Sequence, residues 1–344
     1  MQRGHDDRPP VFHLQLSVTN ACNLQCVHCY REESKAFRNE LSVEEMIALF
    51  EQFKAFVDKR GMDGLITFGG GEPLLRRDLG LLSRVAHSMG LAVRIISNGV
   101  LSAKQAESLA DWGIRLVQVS LDGATAEVHD RVRGAGNFEK ALEGCRHLVA
   151  AGIHVNHKVT LIKGFNDHQI SEFVALANRE RVPVLTFAHL IPIGAGSQLL
   201  THTPDEHRQI FEAIAAECAR SEYTKVEFRE PGYDRMLAWS RHYPYVSSEG
   251  RSHLAIDADG TLYTSRRMGE RIGNIRETSL EEIWEHPLMV SLREGKFEGK
   301  CGSCELFSVC GGGSRAAAFA LTGNPLASDP NCWYAPQGAL AATV

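Results

Sequence analysis

Cys22, Cys26 and Cys29 stand in the stretch CNLQCVHC, positions 22 to 29. Three thiols are an odd number for disulfides and one short of a closed tetrahedral metal site. Thiolates are soft donors that suit iron–sulfur clusters. Three of them can hold three irons of a [4Fe–4S] cube and leave the fourth iron for a small molecule. The competing chemistry is zinc, which needs a fourth Cys or His close by; His28 is near, but wedged between Val27 and Cys29. A second group, Cys301, Cys304, Cys310 and Cys332, supplies enough thiols for a closed site. A cluster and a zinc knuckle both fit that set. Of nine cysteines, Cys145 and Cys218 remain, alone within helical patterns, and read as buried small side chains. The fifteen histidines show no metal spacing, and His87, His147 and His207 read as surface or satisfied residues in helices.

Elements must hold these thiols in place, and the chain supplies a regular frame. Short apolar runs at 11–18, 64–68, 92–97, 116–121, 154–161 and 184–190 are rich in Val, Ile, Leu and Phe, as buried parallel strands are. Amphipathic stretches separate them, such as 42–59, where Ser42 and Glu45 form a capping box. Six such strand–helix repeats predict an α/β fold: a partial (β/α)6 TIM-type barrel, with ligands at the C-terminal strand ends. CNLQCVHC follows the first strand and so lies at that mouth. GGGEP (69–73) follows the second, SNG (97–99) ends the third and SLDG (120–123) ends the fourth. Taken alone, GGGEP is equally an ordinary strand-to-helix turn, and Arg133 equally a solvated surface arginine.

After IPIGAG (191–196) the pattern changes to a helix at 204–220, a strand near 224–229 and a polar, aromatic linker at 231–250. A hairpin is expected around DADG in 253–265, then a short helix at 279–285. The expected division is 1–196 as the barrel, 197–250 as a bridging region, and 251–344 as a small C-terminal cysteine-rich domain with a metal supplying cohesion. WYAP (333–336) is expected to pack the tail.

With 44% apolar and 23% charged residues and a net charge of −5, the chain can bury an ordinary core, and nothing marks it for nucleic acid or anionic lipid. No apolar run approaches a membrane span, and the N-terminus lacks the apolar stretch of a signal peptide. Clustered cysteines without such a signal read as a cytoplasmic metal protein.

Cys22-x3-Cys26-Val27-His28-Cys29 resembles the C-x3-C-x-Φ-C signature of the radical SAM enzymes, with His28 in the usually aromatic place. GGGEP, SNG, SLDG and IPIGAG recur in that family's order, and the resemblance covers about 11 to 196. It implies that Gly69, Gly70, Gly71 and Glu72 take the methionine end of S-adenosylmethionine. It places Ser97, Asn98, Ser120, Asp122 and Arg133 around the ligand's carboxylate and ribose. Strand six and IPIGAG would contact adenine through backbone. It also implies the reaction: reductive cleavage of S-adenosylmethionine to methionine and a 5′-deoxyadenosyl radical, which abstracts hydrogen from substrate.

The stretch from Cys301 to Cys332 resembles the C-terminal part of SPASM/twitch radical SAM proteins, in which these four cysteines ligate an auxiliary [4Fe–4S] cluster. One departure stands out. Ser265 and Ser314 occupy positions where full SPASM members carry further cysteines, Ser247 or Ser248 stands at the first ligand, and no cysteine lies between 219 and 300. The region is therefore expected to be twitch-like, with one auxiliary cluster. Arg266 stands where some relatives carry an aspartate base. The expected activity is maturation of a peptide or protein by crosslinking, oxidation or epimerisation. The alternative is a small-molecule enzyme of tetrapyrrole, haem or antibiotic biosynthesis; a non-catalytic iron–sulfur or zinc protein is the reading that GGGEP and SNG oppose. An electron donor such as flavodoxin or ferredoxin is an expected partner. Only about ten residues precede the first strand, so a separate leader-peptide-binding protein is expected for a leader-directed substrate.

Overall fold

The computed structural model describes residues 9–31, 39–228 and 248–334, with Ser308 and Val309 as backbone only. Seven parallel strands follow one another: β1 (Val11–Thr19), β2 (Asp63–Gly70), β3 (Ala92–Ser97), β4 (Leu116–Ser120), β5 (His154–Leu161), β6 (Val184–His189) and β7 (Lys225–Phe228). Helices α1 (Val43–Asp58), α2 (Leu79–Ser88), α3 (Ser102–Asp111), α4 (Ala126–Arg133), α5 (Asn137–Ala150), α6 (Ile170–Arg179) and α7 (Pro204–Arg220) fall between them. This is the expected partial barrel, with β7 as one further parallel strand against β6. The capping box at Ser42 and Glu45 starts α1, and a second at Thr203 and Glu206 starts α7.

The C-terminal region continues the same sheet. Strands β8 (His253–Ile256), β9 (Thr261–Tyr263) and β10 (Arg271–Asn274) form an antiparallel meander, with the β8–β9 turn at DADG. β8 pairs in parallel with β1, His13 opposite His253 and Leu16 opposite Ile256. The single sheet runs β10-β9-β8-β1-β2-β3-β4-β5-β6-β7.

This pairing joins the hydrophobic cores. Phe12 is fully buried among Phe53, Phe56 and Trp284, with ring centroids 5.1 Å from Phe56 and 6.0 Å from Trp284. Leu254, Ile256, Leu262, Leu280, Met289 and Leu292 belong to the same core as β1 to β4. Each such side chain contributes roughly 1.5–3 kcal/mol by leaving water. The C-terminal region therefore draws cohesion from the barrel as well as from any metal. Arg60, just past α1, adds a bridge to Glu281, donating at 2.9 and 2.8 Å. Among the described residues no helix is long and apolar enough to cross a membrane. Most of the polar linker, 229–247, lies outside the described residues.

Candidate active site

The end of β1 and the end of β2 are welded together. Their register slips between Ser17 and Thr19, and beyond it the Gly71 amide donates to the Thr19 carbonyl at 2.9 Å and the Glu72 amide to Ala21 at 2.7 Å. A Cβ on Gly71 would stand 1.9 Å from the Ala21 carbonyl oxygen, so only glycine permits this approach. Nothing lies within 4 Å of the corresponding position on Gly69, which faces open space. Gly71→Ala is expected to force the cysteine loop away from β2. Overpacking of this kind lowers stability by roughly 1–3 kcal/mol. A lower Tm by circular dichroism, with loss of iron after reconstitution, is the expected outcome; unchanged values for both would show that the contact does not position the loop.

The cysteine loop is held from three sides. Cys29 N–H donates to Cys26 O in a tight turn, and Val27 N–H donates to Val132 O at the end of α4. From the loop after β6, Ala195 N–H donates to Cys29 O at 2.9 Å, and Gly194 sits against Tyr30 so closely that a Cβ would clash. Cys22 is exposed, Cys26 and Cys29 are half-buried, and all three thiols are free. Burial pushes the Cys26 thiol up to about 11, against the pull of Arg133.

Asp122 and Arg133 form a buried pair beside this loop. Arg133 Nε donates to Asp122 Oδ2 at 2.6 Å, and its Nη1 lies 3.8 Å from Cys26 Sγ. His28 Nε2 lies 3.1 Å from Asp122 Oδ2, and the Thr160 amide donates to Oδ1 at 2.7 Å. Burial opposes ionisation of Asp122, but Arg133, His28 and the Thr160 amide together hold its carboxyl below the ordinary carboxylate range. Arg133 is 9% exposed, which excludes the reading as a solvated surface arginine. Removing one member of such a buried pair typically destabilises by roughly 3–5 kcal/mol.

Glu72 is also fully buried. Its carboxylate accepts from Ser97 Oγ at 2.9 Å, Asn98 N–H at 2.8 Å and Leu74 N–H at 3.2 Å, so it ties the β2 end to the β3 end. Burial pushes its carboxyl up to about 7, with the Asn98 and Leu74 amides and Ser97 hydroxyl pulling it back. The Asn98 side chain donates to Asn23 within the cysteine loop at 2.8 Å. Ser120 is half-buried at the end of β4. Gly69 to Glu72, Ser97, Asn98, Ser120, Asp122 and Arg133 thus gather at the strand ends around the cysteine loop. Asn23, His28 and Thr160 join them; sequence reasoning gave Asn23 and Thr160 no role and did not pair His28 with Asp122, because each acts through a partner distant in the chain.

Cys301, Cys304, Cys310 and Cys332 line one cavity, with Phe307 and Tyr334 in its walls, and none is in a disulfide. Consecutive left-handed glycines, Gly311 to Gly313, turn the chain around it, and Gly313 comes so close to Asp329 that a Cβ would stand 2.4 Å from Oδ2. Arg315 is buried and donates to the carbonyls of Pro325, Ala327 and Gly312, which fixes the return path to Cys332. Ser314 caps the helix Arg315–Thr322, its Oγ accepting from Ala317 N–H at 3.2 Å. Ser265 is buried and its carbonyl closes a turn to Met268. Ser248 accepts two amides in a turn, from Arg251 and Ser252, while Ser247 lies outside the described residues. Arg266 pairs with Asp257 at 2.9 Å and lies over Tyr263.

The model of the radical SAM superfamily matches residues 16–177, and that of an iron–sulfur cluster-binding domain, SPASM, matches 248–305. The Fe-coproporphyrin III synthase of Methanosarcina barkeri is 30% identical, over 98% of this chain and 90% of its own. The mycofactocin maturase of Mycolicibacterium smegmatis is 32% identical, over 97% of this chain and 86% of its own. This chain belongs to the radical SAM superfamily. Its fold is similar to that of Streptococcus suis SuiB bound to precursor peptide SuiA, with a TM-score of 0.74 at 16% identity over 95% of this chain and 76% of that one. It is accordingly a radical SAM enzyme with a SPASM region, and its cofactors are [4Fe–4S] clusters and S-adenosylmethionine. The donors fit these groups: three free thiols stand on one loop beside the open face of Gly69, and four more line one cavity. A thiol whose pKa is raised by burial, as at Cys26, loses its proton beside a metal cation.

Proposed function

We propose that this enzyme modifies a peptide substrate, with Cys22, Cys26 and Cys29 holding the cluster that binds S-adenosylmethionine and Cys301, Cys304, Cys310 and Cys332 holding an auxiliary one. The observation that carries the first assignment is the Arg133 guanidinium, fixed by Asp122 and directed at Cys26 Sγ. It favours the thiolate at the ligand position. Gly69 leaves open space for the methionine end of S-adenosylmethionine, Gly70 and Gly71 bring the backbone beside it close against the Thr19 and Ala21 carbonyls, and Glu72 supplies a raised carboxyl that an ammonium group would bring down. Ser97, Asn98 and Ser120 stand at the adjoining strand ends, toward the ligand's polar groups. When bound, the reduced cluster and S-adenosylmethionine together supply a 5′-deoxyadenosyl radical that takes a hydrogen atom from substrate. The chain's part is to orient these groups and to keep water from them.

Identity of 32% to a mycofactocin maturase over nearly the whole chain supports the peptide reading. Identity of 30% to an Fe-coproporphyrin III synthase supports a second, tetrapyrrole reading. The partners that follow are a one-electron donor of the flavodoxin or ferredoxin type and, for a leader-directed peptide, a separate leader-binding protein. The setting is the cytoplasm. Anaerobic turnover with precursor peptides encoded beside the gene, read by mass spectrometry, separates the two readings. A peptide of altered mass, with 5′-deoxyadenosine formed in step, is expected. Turnover of an iron coproporphyrin with no peptide product would sink the peptide reading.

A further inference from the structure

Three histidines outside the cysteine sites converge beneath the loop that follows β6. His189 ends β6, His202 lies in the loop, and His207 sits in the first turn of α7. All are buried, at 3%, 7% and 2% exposure, and one ring nitrogen from each lies within 4.8 Å of the others. The rings meet at steep angles: His189 and His207 cross at 80° with centroids 3.6 Å apart, and His202 and His207 at 72° with centroids 5.6 Å apart. One nitrogen of each ring is thus near enough to the other two to share one ion. We propose that His189, His202 and His207 form a zinc site that pins this loop and the C-terminal tail to the barrel.

The surroundings are those of a metal-bound imidazole. Asp167 Oδ2 lies 3.0 Å from His202 Nε2, and the Asn331 side chain hydrogen-bonds His207. Carboxylate and amide partners of this kind fix ring orientation and raise ligand basicity. The Phe228 ring stands edge-on to His189 at 4.8 Å and keeps the site dry. His207 Nδ1 and His189 Nε2 are 2.5 Å apart, and tetrahedral coordination would open that gap to about 3.3 Å.

The position gives the ion a structural task. The loop it would anchor carries Gly194 and Ala195 against the Cys29–Tyr30 backbone, and Asn331 directly precedes Cys332. One zinc ion would tie the supports of both cysteine groups to β6.

The test uses the full chain with its iron reconstituted anaerobically, given zinc and then desalted. Metal analysis is expected to find about one zinc per chain, and X-ray absorption at the zinc edge a shell of imidazole and oxygen without sulfur. His202→Ala and His207→Asn are expected to lose the zinc and keep the iron. Asp167→Asn keeps all three ligands and covers the case in which those variants do not fold; it is expected to weaken zinc binding about 10- to 100-fold. Zinc held through sulfur, zinc retained equally by the variants, or no zinc and a Tm indifferent to zinc and chelator would each overturn the site. The last result would leave a hydrogen-bonded His189–His207 pair beside a His202–Asp167 pair. Iron content and zinc shell are read separately, so failure here does not touch the cysteine assignment.

Discussion

Cys26→Ala abolishes 5′-deoxyadenosine formation under anaerobic reduction, a loss expected to exceed 100-fold. Cys26 is the middle cysteine of its loop, a proposed cluster ligand, and the one Arg133 faces at 3.8 Å. Removing its sulfur leaves Cys22 and Cys26's other neighbour, Cys29, as two thiols for a cube that needs three. It also leaves the buried Arg133 charge with Asp122 alone. The loop itself should survive, because its anchors at Val27, Cys29 and Ala195 are backbone hydrogen bonds that alanine at 26 retains. Iron is expected to fall from about eight per chain to about four, the content of the remaining cube. Chromatography of 5′-deoxyadenosine after reduction, beside an iron assay, provides the check. Cleavage within tenfold of the parent enzyme would refute Cys26 as a ligand.

Cys304→Ala should separate cleavage from substrate chemistry. Its cavity is lined by four cysteines, which as the proposed ligands of one cluster would leave no open iron for substrate. The proposed cofactor site at the mouth of the barrel includes none of these residues. Uncoupled cleavage of S-adenosylmethionine is therefore expected to stay within about twofold of the parent, while product formation falls more than tenfold, since electron transfer or substrate positioning loses its support. Cys304 is the suitable choice: Cys301 is buried, packs into the core shared with the barrel and hydrogen-bonds through its amide to Ser328, so its loss would confound function with folding. A Tm measured beside the turnover guards against that confusion in Cys304→Ala too. Equal product formation in variant and parent would leave the C-terminal cavity without a part in turnover.

Much of the mouth was legible because its donors are close in sequence. Cys22, Cys26 and Cys29 share one loop, Gly69 to Glu72 share another, and alternation of apolar runs with amphipathic helices sets both at the same strand ends. The roles behind those residues were not legible. Glu72 reads as a ligand-facing carboxylate, yet its oxygens also hold Ser97, Asn98 and Leu74, a fact fixed by where β3 ends relative to β2. Arg133 reads equally as a surface charge until α4 folds back over the cysteine loop. His207 reads as an ordinary helical histidine because its companions are 18 and 5 positions away, at His189 and His202, and no local period links them.

By itself the sequence determined the fold class and the two cysteine sets, since hydrophobic period, turn residues and ligand spacing are properties of neighbouring positions. Only the tertiary structure decided that β8 pairs with β1 and carries the C-terminal region on the barrel's own sheet, that His28 and Thr160 complete the Asp122–Arg133 pair, and that three histidines meet beneath the loop after β6. Those outcomes depend on which surfaces close against each other in space. Burial and charge pairing there are settled by the whole core at once, and no short stretch of chain encodes them.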